Sequence, residues 1–188
     1  MDACHLRFFS HSHYLETKCK VIFMENENHS PDIRNIVILT PNTVKYALSV
    51  LQEREVALKN LKENACFQSL EKMAKPFDLT IGLEKNALSL KFDSVEEGIQ
   101  EIVNLPLRSL KSFIKDYFLI VESYEQAKHA GGARLESIDM ARRGVHNEAA
   151  EFLRESLARR LKMDAATARD LFTLICVLHI GQVRGPHI

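Results

Sequence analysis

The sequence contains no tryptophan, only seven glycines and five prolines, and no excess of charge, because 25 basic residues balance 25 acidic ones. Without net charge, no overall electrostatic field attracts nucleic acid or an anionic membrane. The longest apolar run, residues 171–180, is about half the roughly 20 residues that a membrane-spanning helix needs. The N-terminus lacks the apolar segment and cleavage site of a secretion signal. These absences predict a cytoplasmic protein without a membrane partner and argue against nucleic acid.

No arrangement of cysteines and histidines in the sequence indicates a metal site. The four cysteines show no CxxC pair or other zinc-ligand spacing, which fits a reducing compartment: Cys4, Cys19, Cys66 and Cys176. Three histidines lie close together near the N-terminus, in a segment with no regular period to hold them around a metal ion: His5, His11 and His13. Cys176 lies in an apolar run, where desolvation makes a thiol unreactive. We predict no metal ion and no cofactor.

The chain length allows one sizeable hydrophobic core. Of the 188 residues, 46% are hydrophobic, which is enough for one core but not comfortably for two. We predict a single globular domain over residues 33–180 and a flexible tail over residues 181–188. Residues 1–32 show no regular period, so we predict a disordered extension there, or a chain whose translation starts at Met24.

A strand and a helix are predicted next. Residues 33–39, IRNIVIL, are rich in β-branched side chains, which are typical of a strand. Thr40 and Pro41 suit the N-cap and first position of a helix, which we expect to run to about Asn64. Its apolar residues recur at three- to four-residue or heptad spacings: Val44, Leu48, Leu51, Leu58 and Leu61.

Residues 78–93, DLTIGLEKNALSLKFD, alternate large apolar residues with polar or small ones in two runs. This pattern predicts a β-hairpin with a two-residue loop at Lys85 and Asn86. One register then places every large apolar residue on the same face: Leu79 opposite Phe92, Ile81 opposite Leu90 and Leu83 opposite Leu88. With residues 33–39 as a third strand, we expect a small antiparallel sheet with one apolar face that the rest of the chain must cover.

From residue 105 onward nothing alternates, and three helices are predicted. The first opens near Pro106 and ends near Gly131, and the second covers residues 135–161. The third opens at Asp164, whose carboxylate suits an N-cap. The predicted fold is therefore α+β, with a small antiparallel sheet that includes a β-hairpin and is covered by a helical C-terminal half of three helices.

The second of these helices has a charge on its predicted core-facing side. Five apolar residues share an arc of roughly 80°: Ile138, Ala141, Val145, Ala149 and Phe152. Arg142 falls within this arc, and an unpaired buried charge costs several kcal/mol. Under a structural interpretation, Arg142 is substantially buried and binds Asp116 or Glu122 of the preceding helix. His146 is then a hydrogen-bonded histidine at the edge of the core.

Under a functional interpretation, the same helix lines a pocket for an anionic ligand. Arg142 and Arg143 would bind a phosphate or carboxylate, whose geometry matches the guanidinium fork. His146 lies beside Asp139 at the edge of the arc, and Glu148 flanks the opposite side. If the pocket is catalytic, His146 is the candidate general acid or base.

Four segments resemble the signature segments of uncharacterised protein family 0262, a group of short bacterial proteins. They are EREVALKNLKENACF (53–67), KDYFLIVESY (115–124), SIDMARRGVHNEAAEFLRE (137–155) and TARDLFTLICVLH (167–179). Ala141, Ala149 and Asp170 stand where the family pattern leads us to expect glycine, glycine and a basic residue. The family has no established activity, so the resemblance implies a cytoplasmic bacterial protein and no particular reaction.

The sequence favours a non-catalytic binding or regulatory protein. It contains no HExxH motif, glycine-rich phosphate loop or GxSxG motif. The expected partner is another protein or a small anionic ligand. The alternative is a small enzyme acting on a phosphorylated or carboxylated substrate. An enzyme requires Arg142 and His146 to open into the same pocket, whereas a structural pair would be sealed beneath packed side chains.

Overall fold

The structure, a computed structural model, describes residues 32–39, 48–67, 73–96, 98–127 and 132–183, with backbone alone for residues 180–183. The fold is α+β, which confirms the predicted fold class. The described strands and helices, in chain order, are β1 (Ile33–Ile38), α1 (Leu48–Asn64), β2 (Phe77–Glu84), β3 (Ala87–Ser94), β4 (Gln100–Pro106), α2 (Lys111–Ala127), α3 (Gly132–Leu157) and α4 (Ala165–Val183). A 3-10 turn over Leu107–Leu110 leads directly into α2.

Some predictions fall on parts of the chain that the structure does not describe. The predicted N-terminal extension and the helix start at Thr40 and Pro41 lie outside the described residues. Of the predicted tail, residues 181–183 form the last part of α4. The remainder, residues 184–188, also lies outside the described residues.

The hairpin has the predicted register. Leu83 lies opposite Leu88, and the adjacent inward pairs follow in the same register. Lys85 and Asn86 form the loop with φ angles of 48° and 64°. A two-residue loop with both φ angles positive matches the right-handed twist of the flanking strands. Alternation of apolar side chains and local turn chemistry therefore specify this part of the sheet.

The sheet is mixed, so the prediction of an antiparallel sheet is wrong for β1. Strand β1 pairs in parallel with β2, with Val37 opposite Thr80 and Ile38 opposite Ile81. The helix α1 lies between these two strands in the chain. A strand that returns to the sheet after a crossover helix pairs in parallel with the first strand, whereas an antiparallel partner follows a short turn.

Strand β4 was not predicted. It pairs antiparallel with β3 and completes the strand order β1-β2-β3-β4. Only Val103 and Leu105 of this strand are buried, and Ile102, the residue before Val103, is exposed on the other face. Two inward-facing apolar residues are too few to indicate a strand in the sequence. This segment is a strand because its backbone pairs with β3.

Helices form near the predicted ranges, although the buried faces of α1 and α3 differ from the predicted ones. Asp164 caps α4, because its Oδ1 accepts a hydrogen bond of 2.8 Å from the backbone N–H of Thr167. In α1, however, Leu48 is 70% exposed, while Val50, Ala57 and Leu61 are buried. The heptad spacing of the leucines therefore predicted the wrong buried face at the start of α1.

Helix α4 is the central helix of the fold. Its residues 171–178 are all buried, and it packs against the other three helices and β2. Beneath the sheet, the rings of Phe67, Phe77 and Phe92 contact one another with centroid separations of 5.2 to 5.9 Å. No helix in the described part of the chain combines the length and apolar character needed to cross a membrane.

Candidate functional site

Four helices enclose a cleft of about 660 Å³. Helix α1 contributes Glu53, α2 contributes Tyr117, α3 contributes Arg142 and His146, and α4 contributes Arg169. Small-molecule sites in proteins typically measure about 300 to 1,000 Å³ and combine apolar walls with a few polar groups. The cleft has the size and composition of such a site.

The structure brings most of the predicted site residues together. Asp139, Arg142, Arg143 and His146 all line the cleft. Glu148 is exposed and lies outside the cleft lining. Arg142 and His146 therefore open into the same concave surface.

Arg142 binds different carboxylates from those predicted. Its Nε and Nη2 donate to Oδ1 of Asp139 at 3.2 and 2.7 Å, and its Nη1 lies 3.7 Å from Oε1 of Glu53. The side chain is 38% exposed, so the prediction of substantial burial is wrong. The predicted partners Asp116 and Glu122 are exposed residues of α2, and they are not among the described partners of Arg142.

Arg142 is partly exposed because it lines the open cleft, and the buried face of α3 also differs from the predicted one. The buried residues are His146, Ala149, Ala150, Leu153 and Leu157. At 100° per residue, their arc is rotated by roughly 90° from the predicted arc. Helix α3 packs against both α2 and α4, and two neighbours select a face that one helical pattern cannot identify. Ala141, predicted to face the core, is exposed.

His146 is a neutral, well-packed side chain in the cleft wall. Its Nδ1 donates to the backbone carbonyl of Arg142 at 2.8 Å. Its ring packs edge-on against Tyr117 and Phe172, with centroid separations of 5.7 and 5.4 Å. Burial lowers the pKa of His146 and outweighs the opposing effect of the carbonyl bond. With a proton on Nδ1, the neutral imidazole has Nε2 as an acceptor.

Glu53 and Tyr117 form a polar pair that the sequence analysis missed. The hydroxyl of the buried Tyr117 donates to Oε2 of Glu53 at 2.8 Å. Burial, followed by the charge of Glu53, raises the pKa of Tyr117 far above its ordinary value, so the hydroxyl keeps its proton. The available signal was spacing, because Glu53 lies three residues after Val50 and four before Ala57, on one helix face.

The positive charges of the cleft are only partly paired. Asp139 binds two guanidinium groups, since Nε of Arg143 donates to its Oδ2 at 2.8 Å in addition to the bonds from Arg142. The hydrogen bond from Arg142 is the largest cause that lowers the pKa of Asp139. Nε of Arg169 donates to the neutral amide oxygen of Asn147 at 2.6 Å. The cleft lining thus contains three guanidinium groups and the three carboxylates of Glu53, Asp139 and Asp170.

Asp170 is a titratable group at the same site. Burial raises its pKa to about 6, against the opposing hydrogen bond from Nδ2 of Asn60 at 3.2 Å. This carboxylate stands where the family pattern leads us to expect a basic residue. The electrostatic balance of the cleft therefore shifts toward positive charge as the pH falls through 6.

The hydroxyl groups of the cleft are engaged in other hydrogen bonds. Ser49 donates to Glu125 at 3.1 Å, and Thr173 donates to the backbone carbonyl of Arg169 at 3.2 Å. Together with Tyr117, these hydroxyls donate to oxygen acceptors and not to His146. The thiol of Cys176 is fully buried, and burial raises its pKa, as predicted for an unreactive cysteine. The geometry suits ion binding better than nucleophilic attack.

The described residues also contain no metal-binding arrangement of three or more histidine, cysteine, aspartate or glutamate side chains. His5, His11 and His13 lie outside this part of the chain.

The model of an uncharacterised protein family, UPF0262, matches residues 30–181. The chain belongs to UPF0262. A UPF0262 protein of Paramagnetospirillum magneticum is 41% identical over 153 residues, which cover 81% of this chain and 98% of that protein. A UPF0262 protein of Caulobacter vibrioides is 43% identical over 129 residues, which cover 68% of this chain and 80% of that protein. A UPF0262 protein of Cereibacter sphaeroides is 42% identical over 136 residues, which cover 69% of this chain and 86% of that protein. No solved structure matches the chain.

The family match confirms the resemblance of the four sequence segments. It extends from before β1 to residue 181 in α4 and so contains every residue that lines the cleft. The UPF0262 relatives have no functional name, in agreement with the expectation that the family indicates no reaction. The cleft itself is therefore the feature that indicates a function.

Proposed function

We propose that this UPF0262 chain is a non-catalytic binding protein that holds a small anionic molecule in the cleft between its four helices. One observation carries the proposal. Arg142 and Arg143 share a single carboxylate, Asp139, while Arg169 binds a neutral amide. Glu53 lies 3.7 Å from Arg142 as a second carboxylate, and Asp170 follows Arg169 in the chain.

The guanidinium groups have donors left for a ligand. Each guanidinium carries five N–H donors in a planar fork that matches carboxylate and phosphate oxygens. For Arg143 and Arg169, the described side-chain hydrogen bonds each use Nε. The side chain of Arg143 is 72% exposed, so an incoming anion can reach its terminal nitrogens.

The hydrogen-bonding pattern supports binding without catalysis. His146 bonds to its own helix, and the hydroxyls of Ser49, Tyr117 and Thr173 donate elsewhere. A nucleophilic enzyme requires a hydroxyl or thiol within hydrogen-bond reach of its base. A cytoplasmic location is part of the proposal, since carboxylated and phosphorylated metabolites are abundant there, and fractionation of expressing cells tests it.

The proposal is tested by titrating the protein with pyrophosphate and, separately, with succinate, and by measuring each affinity from the changes in NMR chemical shifts. Arg143→Ala and Arg169→Ala should each weaken binding about tenfold, because each removes a charge-assisted contact. Arg134→Ala is the matched control: Arg134 is an exposed residue of α3 outside the cleft lining, and its loss should change affinity less than about twofold. Equal affinities in all four proteins, or no binding of either anion, would contradict the proposal.

A further inference from the structure

We infer that the ligand carries a protonated amine beside its carboxylate or phosphate, and that Asp170 binds this amine while Arg143 and Arg169 bind the anionic group. This inference rests on the proposed function and adds the chemical class of the ligand, an acidic amino acid or an aminoalkyl phosphate. It comes from the different partners of the three carboxylates in the cleft.

Two of these carboxylates already have charged or strongly hydrogen-bonding partners. Asp139 accepts hydrogen bonds from Arg142 and Arg143. Glu53 accepts a hydrogen bond of 2.8 Å from the hydroxyl of Tyr117, and its Oε1 lies 3.7 Å from Nη1 of Arg142. Both carboxylates therefore balance positive charge that belongs to the protein itself.

Asp170 differs, because no cation is among its described partners. Its Oδ1 accepts a hydrogen bond of 3.2 Å from the neutral amide of Asn60, so Oδ2 can accept another. The side chain is partly buried and lines the cleft, and burial is the largest cause that raises its pKa. An ionised carboxylate is costly here because it has lost water without gaining a counter-ion. The ammonium group of a ligand would supply that counter-ion.

The groups that would bind the two charges of the ligand lie close together. Asn147 follows Arg143 by one turn of α3, so the two side chains leave the same face of the helix. Arg169 of α4 donates to Asn147 at 2.6 Å, which brings both guanidinium groups to this part of the cleft. Asp170 follows Arg169, and consecutive Cα atoms lie about 3.8 Å apart. A ligand with one or two carbon atoms between its ammonium and acidic groups fits this arrangement.

The charge of Asp170 also provides selectivity. An anion without an amine is repelled by this carboxylate, whereas an ammonium group at the same place is attracted to it. Specificity commonly combines such an attraction for one ligand with a repulsion of its competitor. Asp170 therefore favours an anion that carries an amine over the same anion without one.

The test compares L-aspartate with succinate, which differ by the amino group, on the full chain at pH 7.5. Phosphoethanolamine and ethyl phosphate form a second pair and distinguish a phosphate from a carboxylate. Each amine should bind about tenfold more tightly than its counterpart, because it gains a charge-assisted hydrogen bond. Without an acceptor for the amine, the order reverses, since succinate and ethyl phosphate carry the larger net negative charge.

The outcomes separate this inference from the proposed function. Equal or weaker binding of both amines would overturn the inference, while binding of succinate would still support an anion-binding cleft. Binding of none of the four compounds would overturn both.

Replacement of Asp170 by asparagine tests the assigned residue. The variant keeps a hydrogen-bonding oxygen but loses the charge, so the advantage of L-aspartate over succinate should disappear. Succinate should bind at least as tightly as to the wild type, because a negative charge has left the cleft, and this binding also shows that the variant is folded. Asp116→Asn is the matched control, since Asp116 is an exposed residue of α2 outside the cleft lining. An advantage that survives in Asp170→Asn, or an equal loss in both variants, would overturn the assignment.

The pH dependence gives a second measurement on the wild-type chain. On α4, Asp164 raises and Arg169 lowers the pKa of Asp170, while burial is the largest influence and raises it to about 6. Other charged or titratable groups line the cleft from α1, α2 and α3: Glu53, Tyr117, Asp139, Arg142, Arg143 and His146. Burial raises the pKa of Tyr117 and lowers that of His146. His146 is thus the neutral base of the cleft whose titration must be separated from that of Asp170.

Taurine and ethanesulfonate provide this separation, because they differ by an amine and keep constant charges from pH 5 to 7. Asp170 is ionised above and neutral below a pH of about 6, so the advantage of taurine should be present at pH 7 and lost at pH 5. In Asp170→Asn, the advantage should be absent at both pH values. A taurine advantage that is the same at pH 5 and 7, or that still changes with pH in the variant, would overturn the role of Asp170.

Discussion

Replacement of Arg142 by alanine separates a ligand-binding arginine from a buried structural one. The half-exposed side chain forms an ion pair with Asp139 three residues earlier on the same helix and a longer one with Glu53. Pairs at this helical spacing contribute about 0.3 to 0.5 kcal/mol. An exposed pair between elements contributes up to about 1 kcal/mol. We therefore expect Arg142→Ala to lower the free energy of unfolding by about 1 kcal/mol.

A buried pair behaves differently, since removing one partner leaves an unpaired charge and costs about 3 to 5 kcal/mol. Urea unfolding followed by far-ultraviolet circular dichroism distinguishes these values. In thermal unfolding, 1 kcal/mol corresponds to a shift in Tm of about 2 to 4 °C for a chain of this size. Arg134→Ala, the exposed control on the same helix, should change stability by less than about 0.5 kcal/mol.

The same variant should lose anion affinity. Because Arg142 lines the cleft with spare N–H donors, Arg142→Ala should bind pyrophosphate about tenfold more weakly than the wild type. A stability loss of 3 kcal/mol or more would refute the reasoning and return Arg142 to a structural role. A small stability loss with unchanged affinity would instead refute its role in ligand binding.

Three further predictions concern other groups of the site. Tyr117→Phe should lower the free energy of unfolding in urea by about 1.5 to 3 kcal/mol, because a partly buried hydrogen bond to a charged acceptor, Glu53, is lost. A loss below about 0.5 kcal/mol would contradict this prediction. The pKa of Asp170 is raised to about 6, so its carboxylate is neutral below and ionised above this pH. Sulfate, whose own charge is constant over this range, should bind more weakly as the pH rises from 5 to 7, because Asp170 then becomes negatively charged. Asp170→Asn should abolish this pH dependence. An unchanged pH dependence in the variant would exclude Asp170 as its source. After treatment with iodoacetamide at pH 8, peptide mapping should find Cys176 alkylated only when urea is present, because burial raises the pKa of its thiol. Alkylation of Cys176 in the native protein would contradict this prediction.

Elements governed by neighbours in the chain were predictable. The hairpin follows from alternating apolar residues and a loop that accepts positive φ angles at Lys85 and Asn86. The start of α4 follows from one carboxylate, Asp164, placed to accept an N–H of the first turn. Side-chain alternation and capping act over a few residues, so the sequence alone contains the necessary information.

The direction of β1, the existence of β4 and the buried face of α3 depended on tertiary structure. Two neighbouring helices selected the arc around His146, and the cleft between the helices leaves Arg142 partly exposed beside Asp139 and Glu53. Glu53 is 89 residues from Arg142 in the chain, so no local pattern links the two.

From the sequence alone, α3 could be identified as a helix that carries four polar residues of the cleft, because Asp139, Arg142, Arg143 and His146 lie within eight consecutive positions. Glu53, Tyr117 and Arg169 join them through the packing of α1, α2 and α4 around α3. The physical reason is that helix periodicity fixes angles within one helix, whereas packing between helices fixes which faces meet.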